Sequence, residues 1–206
     1  MMHRLSQLCR SFARDQSGAV VVDFVPVFFA MVILVLVIFE IGIAYFLNLR
    51  SLKAAQLGAR VAAVVPAVHT NVPETNRKVN PLARDGQPCF NPNGPDRCQD
   101  PGGPWICNGS NLDADCNRTN FDRIISDMQR VFTNLEPDAV TVTYIYRRLG
   151  ETGGPLVPEV NVRIEPQEFR FLFFTLGRAT GTLEDKPATR YGGVSASAYG
   201  ENIFGG

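Results

Sequence analysis

The chain is short of the residues that run most enzyme chemistry. Of its 206 residues only two are histidine, His3 and His69, and only one is tryptophan, Trp105. There is no Gly-x-Ser-x-Gly elbow, no phosphate-binding loop and no dinucleotide glycine fingerprint, so hydrolase, nucleotide and NAD chemistries lack their usual carriers. Glu136, Asp138, Glu151 and Glu159 are scattered over turns and strand edges, where a solvated surface is the default. No catalytic residue, metal or cofactor is expected. Net charge is missing too: twenty basic residues balance twenty acidic ones, without the clustered basic face that a nucleic-acid partner requires. Domains are commonly about 100–150 residues, which leaves room for one membrane helix and one modest globular domain.

What the chain does have is a long apolar run with an acid near its start. Ser17-Gly18-Ala19-Val20-Val21-Val22-Asp23-Phe24 leads into uncharged, almost wholly apolar sequence as far as Phe39, and Ala19 to Leu47 is interrupted only by Asp23 and Glu40. About 20 residues at 1.5 Å rise cross a hydrocarbon core of roughly 30 Å, so one transmembrane helix is predicted. A charged side chain entering that core costs roughly 2.5–3.5 kcal/mol on insertion scales, so Asp23 needs a partner. An amine created by a cut between Gly18 and Ala19 would lie one helical turn away and, with a reference pKa of about 7.7–8.0, would be largely protonated. Glu40, seventeen positions on, falls near the opposite membrane face and reads as an interfacial acid reaching headgroups or water. Pro26 frees the carbonyl of Val22 and predicts a kink or local loosening.

Arg4, Arg10 and Arg14 against Asp15 make residues 1–18 a positive flank, which the positive-inside rule assigns to the cytoplasm. Two rivals keep the same apolar run: a secretory signal cut after Gly42-Ile43-Ala44, and an uncleaved signal anchor. The leader is long and the run exceeds the usual signal length, which weighs against the first.

Helical spacing continues past Leu47. Arg50, Lys53, Gln56 and Arg60 share one stripe, and Ala54, Leu57, Val61, Val64 and Val65 another. The rows Ala54-xxx-Gly58-xxx-Ala62 and Ala55-xxx-Ala59-xxx-Ala63 suit close approach of another helix, either in sister subunits or in the chain's own domain. An unbroken helix over 19–65, ended by Pro66, would be about 70 Å long.

Asp15-Gln16-Ser17-Gly18-Ala19-Val20-Val21-Val22-Asp23-Phe24, Phe39-Glu40-Ile41-Gly42 and Ala54-Ala55-Gln56-Leu57-Gly58-Ala59-Arg60-Val61-Ala62-Ala63 together resemble the N-terminal signature of the TadE-like pseudopilins of the tight-adherence (Flp) type IV pilus systems. The match is strong over the first third of the chain. The resemblance implies an inner-membrane protein clipped after Gly18 by a prepilin peptidase and used, with other pilins and pseudopilins, to build an adhesive pilus. Ala19 becomes the first mature residue and Asp23 the fifth-position acid. The family usually has glutamate there, and aspartate is one methylene shorter. The predicted partners are the peptidase, sister pilins and inner-membrane lipid, with no nucleic acid; the alternative is an uncleaved single-pass anchor carrying a periplasmic binding or enzymatic domain.

Residues 66–116 are rich in proline, glycine, asparagine and aspartate and read as a loop region. Cys89, Cys98, Cys107 and Cys116 follow at nine-residue steps, and Cys9 stands alone in the leader. In an exported segment four cysteines predict two disulfides, with three connectivities open. Zinc spacing is absent. Trp105, between two of these cysteines, is expected to pack on the disulfides. Asp113-Ala-Asp115-Cys-Asn117 opens like a calcium loop but has Arg118 and Ile124 where the glycine and final acid belong. A helix capped through Thr119 and Asp122 follows, with Phe121, Ile124, Ile125, Met128, Val131, Phe132 and Leu135 on one face. Strands are predicted over 139–147, 157–164, 168–176 and 193–199. Phe169, Phe171, Leu172, Phe173 and Phe174 are expected in the sheet core. The fold class expected is α+β: a membrane helix extended into the periplasm, then, over 117–206, one helix packed on a small antiparallel sheet.

Overall fold

The structure, a computed structural model, describes residues 19–169, 189–191 and 193–200, with side chains over 24–166 and 193–200. Gly18, Cys9, His3 and residues 171–174 of the aromatic cluster lie outside the described residues, as do the side chains of Ala19 and Asp23. The described residues fall into two compact units, 19–45 and a larger one made of Phe46–Phe169 with 189–191 and 193–200.

Helix α1 runs Ala19–Ala62, 44 residues, with Pro26 inside it. In the first unit it is apolar all round rather than on one stripe, and its large side chains face outward: Phe24, Phe29 and Phe39 are each 60% exposed or more. It is long and apolar enough to cross a membrane, with a mean hydropathy of 2.9 in its most apolar stretch, none of it buried.

The larger unit is an antiparallel sheet with helices on one face. Its strands are β1 (Trp105–Asn108), β2 (Val140–Ile145), β3 (Glu159–Ile164) and β6 (Val194–Tyr199), hydrogen-bonded in that order. A separate two-stranded ribbon, β4 (Gln167–Phe169) with β5 (Thr189–Tyr191), intervenes between β3 and β6 in the chain. Alternation sets the buried face. Cys107 pairs with Val142, Val142 with Val162 and Val162 with Ala196, a row that crosses all four strands on one side. Val140, Val142, Tyr144, Val160, Val162 and Ile164 are buried there, while Thr141, Thr143 and Asn161 fill the more open face. Helix α2 (Arg118–Gln129) covers the buried side with Phe121, Ile124, Ile125 and Met128. Phe132 and Leu135, beyond the helix end, extend the same core.

Several boundaries differ from the sequence expectation. Helix α1 stops at Ala62, not Val65, although the bonds Ala63 N–H to Ala59 O and Val65 N–H to Val61 O carry one further turn. The cap of α2 is Asn117, whose side chain accepts from the Asn120 N–H at 3.2 Å, rather than Thr119. The 66–116 segment is not loop throughout. It contains β1, an edge strand of the sheet, so this segment and the α+β region form one folded unit. Trp105 lies on the sheet's buried face, in the core and two residues from Cys107.

Candidate functional site

The two parts of α1 do different work. Its first part carries Asp23 and a half-buried Glu40 within an otherwise outward-facing apolar surface. Its last part is a structural wall of the folded unit. Ser51, Ala54, Ala55, Ala59, Ala62 and Ala63 are buried there, and Gly58 lies against Met128 of α2 so closely that an added Cβ would stand 2.5 Å from the thioether sulfur. Small side chains let the two backbones approach, and both small-residue rows are used inside the chain's own domain. The opposite stripe, Arg50, Lys53, Gln56 and Arg60, faces out.

Where α1 ends, a short strap ties it to both the sheet and α2. The Val68 N–H donates to the Tyr144 hydroxyl of β2 at 3.1 Å, the Asn117 N–H donates to Val68 O at 2.7 Å, and Asn120 Nδ2 donates to Ala67 O at 3.1 Å. Tyr144 is fully buried, and burial pushes its hydroxyl up to about 12, with the Val68 hydrogen bond pulling the other way. Because the folded value lies above the ordinary 10, this group's contribution is intact below pH 10 and is lost as pH rises towards 12, at about 1.4 kcal/mol per pH unit in that window. Tyr144→Phe should flatten this alkaline loss and, by leaving the Val68 N–H unpaired, lower stability near neutrality by about 1–3 kcal/mol. Guanidinium midpoints of the two proteins between pH 7 and 11 read both effects.

The cysteine segment is held mainly by polar stitching. Its disulfides join sequence neighbours, Cys89 to Cys98 and Cys107 to Cys116, each over nine positions. On the chain-entropy estimate a loop of that size contributes about 2.5 kcal/mol. Buried Thr152, on the β2–β3 connection, donates from Oγ1 to Arg84 O at 2.9 Å and accepts from the Gln87 N–H at 3.1 Å. Buried Asn76 donates from Nδ2 to Pro155 O at 3.1 Å, and the Cys89 N–H donates to Gly150 O at 2.9 Å. Neither Asn76 nor Thr152 carries a sequence signal, since each becomes a brace only when 74–89 meets 149–156.

Beside this stitching lies a cleft of about 320 Å³, lined among others by Asn71, Thr75, Arg77, Gln99, Asp100 and Leu156. It offers amides, the Thr75 hydroxyl, one cation and one carboxylate. Asn76, which also lines it, keeps a buried Oδ1 without a partner. Tyr146 is raised by burial first and by Asp100 and Asp96 next, its hydroxyl also buried and unpartnered. His69 accepts the Asn71 N–H on Nδ1 at 3.2 Å, a turn contact. Among the described residues no group of three or more His, Cys, Asp or Glu side chains could hold a metal. The Asp115 backbone carbonyl accepts from both the Thr70 N–H and its hydroxyl, and the Cys116 N–H donates to Asp113 O at 2.9 Å, so this stretch leads into α2 as a turn.

Comparison with family models, curated proteins and solved structures finds no match to this chain.

Proposed function

We propose that the chain is a TadE-like minor pilin or pseudopilin, anchored in a bacterial inner membrane by α1 with its folded domain in the periplasm, clipped after Gly18 and assembled with sister pilins into an adhesive Flp-type pilus. The supporting observation is one continuous helix that bares an apolar surface over its first part and buries a small-residue wall in a disulfide-bonded domain over its last. An apolar surface of that extent asks for lipid or other apolar helices around it. Orientation rests on the disulfides, which persist in oxidising compartments. The basic residues alone do not decide it: Arg4, Arg10 and Arg14 precede the apolar run, but Arg50, Lys53 and Arg60 follow within the roughly 15–20 residues over which such charges count.

Asp23 gives the proposal its chemistry. In a bundle of apolar helices each new α-amino group sits at the positive end of its own helix dipole, and an acid one turn away, on the same or a neighbouring helix, neutralises it. Asp23→Ala should insert and be processed normally yet enter sheared pili at least tenfold less, because an uncompensated buried charge costs about 3–5 kcal/mol and about 1.4 kcal/mol is a factor of ten. Asp23→Glu should assemble. Undiminished incorporation of the alanine variant would remove the ion pair from the account.

A second reading has an observation of its own. Since both small-residue rows of α1 are spent on the chain's own domain, they leave no close-packing seam for a sister subunit along that segment. A plain membrane tether for a periplasmic binding domain needs no such seam. Tolerance of Asp23→Ala would favour it.

A further inference from the structure

The sequence has no Asp or Glu between Glu40 and Glu74, yet the exposed side of α1 carries Arg50, Lys53 and Arg60 in that interval. Helical spacing aligns Phe46, Arg50, Lys53 and Arg60 on one stripe, opposite the buried Ala55 and Ala62. Among the described residues none of the three cations is in an ion pair. The Arg50 guanidinium lies over the Phe46 ring, its Cζ 4.5 Å from the centroid, a cation–π contact that restricts where the guanidinium sits. A guanidinium held that way suits bidentate donation to a phosphate.

We propose that Arg50 and Lys53 form a binding site for the phosphate of anionic phospholipid in the leaflet next to the folded domain. This inference rests on α1 spanning the membrane. Counting from Leu47, the last residue of the apolar run, Arg50 lies about 5 Å and Lys53 about 9 Å further along the helix, against a headgroup layer of about 5–8 Å on each side of the core. Both side chains are long enough to place their charge in that layer. Arg60, about 20 Å on, lies beyond it and serves as an internal control. The complement is charge: two cations outside any ion pair meet a surface of phosphates. Phe46 supplies the apolar side of the same anchor, at the depth where aromatic rings settle at membrane interfaces.

The test uses the full chain reconstituted in phosphatidylcholine vesicles with trace spin-labelled phosphatidylglycerol or spin-labelled phosphatidylcholine, reading the motionally restricted fraction of each lipid. The wild type should favour phosphatidylglycerol by about threefold or more, a preference reduced by 0.5 M salt. Arg50→Gln with Lys53→Gln should lose at least half of that preference, and Arg60→Gln should keep it. The leader arginines are common to all three proteins and cancel. Restricted lipid that shows the same preference in the double variant as in the wild type overturns the site while leaving the membrane span standing. No restricted lipid of either kind overturns the span, and the site with it. Equal loss in Arg60→Gln would show general surface charge instead of a site.

Discussion

Gly109→Ala should leave the folded domain largely unfolded. Gly109 follows β1 and donates its N–H to Val140 O at 2.9 Å, which brings it against the 3₁₀ turn Pro137–Ala139 that leads into β2. A Cβ built there collides with the carbonyl oxygen of Pro137 and stands 3.1 Å from the ring of fully buried Phe121. Two main chains meet, and neither can swing aside as a side chain can. Relief means separating β1 from β2, the edge pairing that also holds Trp105 and Cys107 in the core. Steric overpacking of this kind belongs to the rare class of substitutions costing about 4–5 kcal/mol, close to the whole stability of a marginal domain of about 5–15 kcal/mol. The sole tryptophan, buried Trp105, reports it: the detergent-solubilised variant should emit at the wavelength of exposed indole without denaturant. Gly58→Ala is the informative contrast. Its new methyl meets the Met128 thioether, a flexible chain that can move, so that variant should stay folded with a lowered midpoint.

Gly18→Leu should abolish leader removal. The resemblance implies that a prepilin peptidase cuts after this glycine, and the eighteen-residue leader that it closes carries Arg4, Arg10 and Arg14. With the leader retained, the amino terminus stays on Met1 and no amine forms beside Asp23. Processing and pilus entry should both fall below detection, read as one unshifted band in membranes from cells that express the peptidase. Asp23→Ala separates these two outcomes, because it should be cut and still fail to assemble. A leucine variant that is processed like the wild type would move the cut elsewhere.

Much of the fold was legible because its signals are local. The apolar run of α1, the alternation in Val140–Ile145 and Glu159–Ile164, and the helical spacing from Phe121 to Met128 each announce their element with its own residues. β1 was not legible. Four residues beside prolines and glycines become a strand only because Trp105 to Asn108 pair with Tyr144 to Thr141, a contact made far along the chain. The cap of α2 was displaced for a similar reason: Asn117 and Thr119 can both cap, and the bond from the Asn117 N–H to Val68 O selects the first. Disulfide pairing stayed open in the sequence, since nine-residue steps fit all three connectivities. At the candidate site the small-residue rows announced close packing, whereas the neighbour of Gly58, Met128, comes from α2, far along the chain.

The most direct test is the intact mass of the wild-type chain purified from membranes with and without a prepilin peptidase. The account predicts a chain that begins at Ala19 when the enzyme is present and at Met1 when it is absent. A mature protein that begins at Tyr45, or one that keeps Met1 in both preparations, would contradict it.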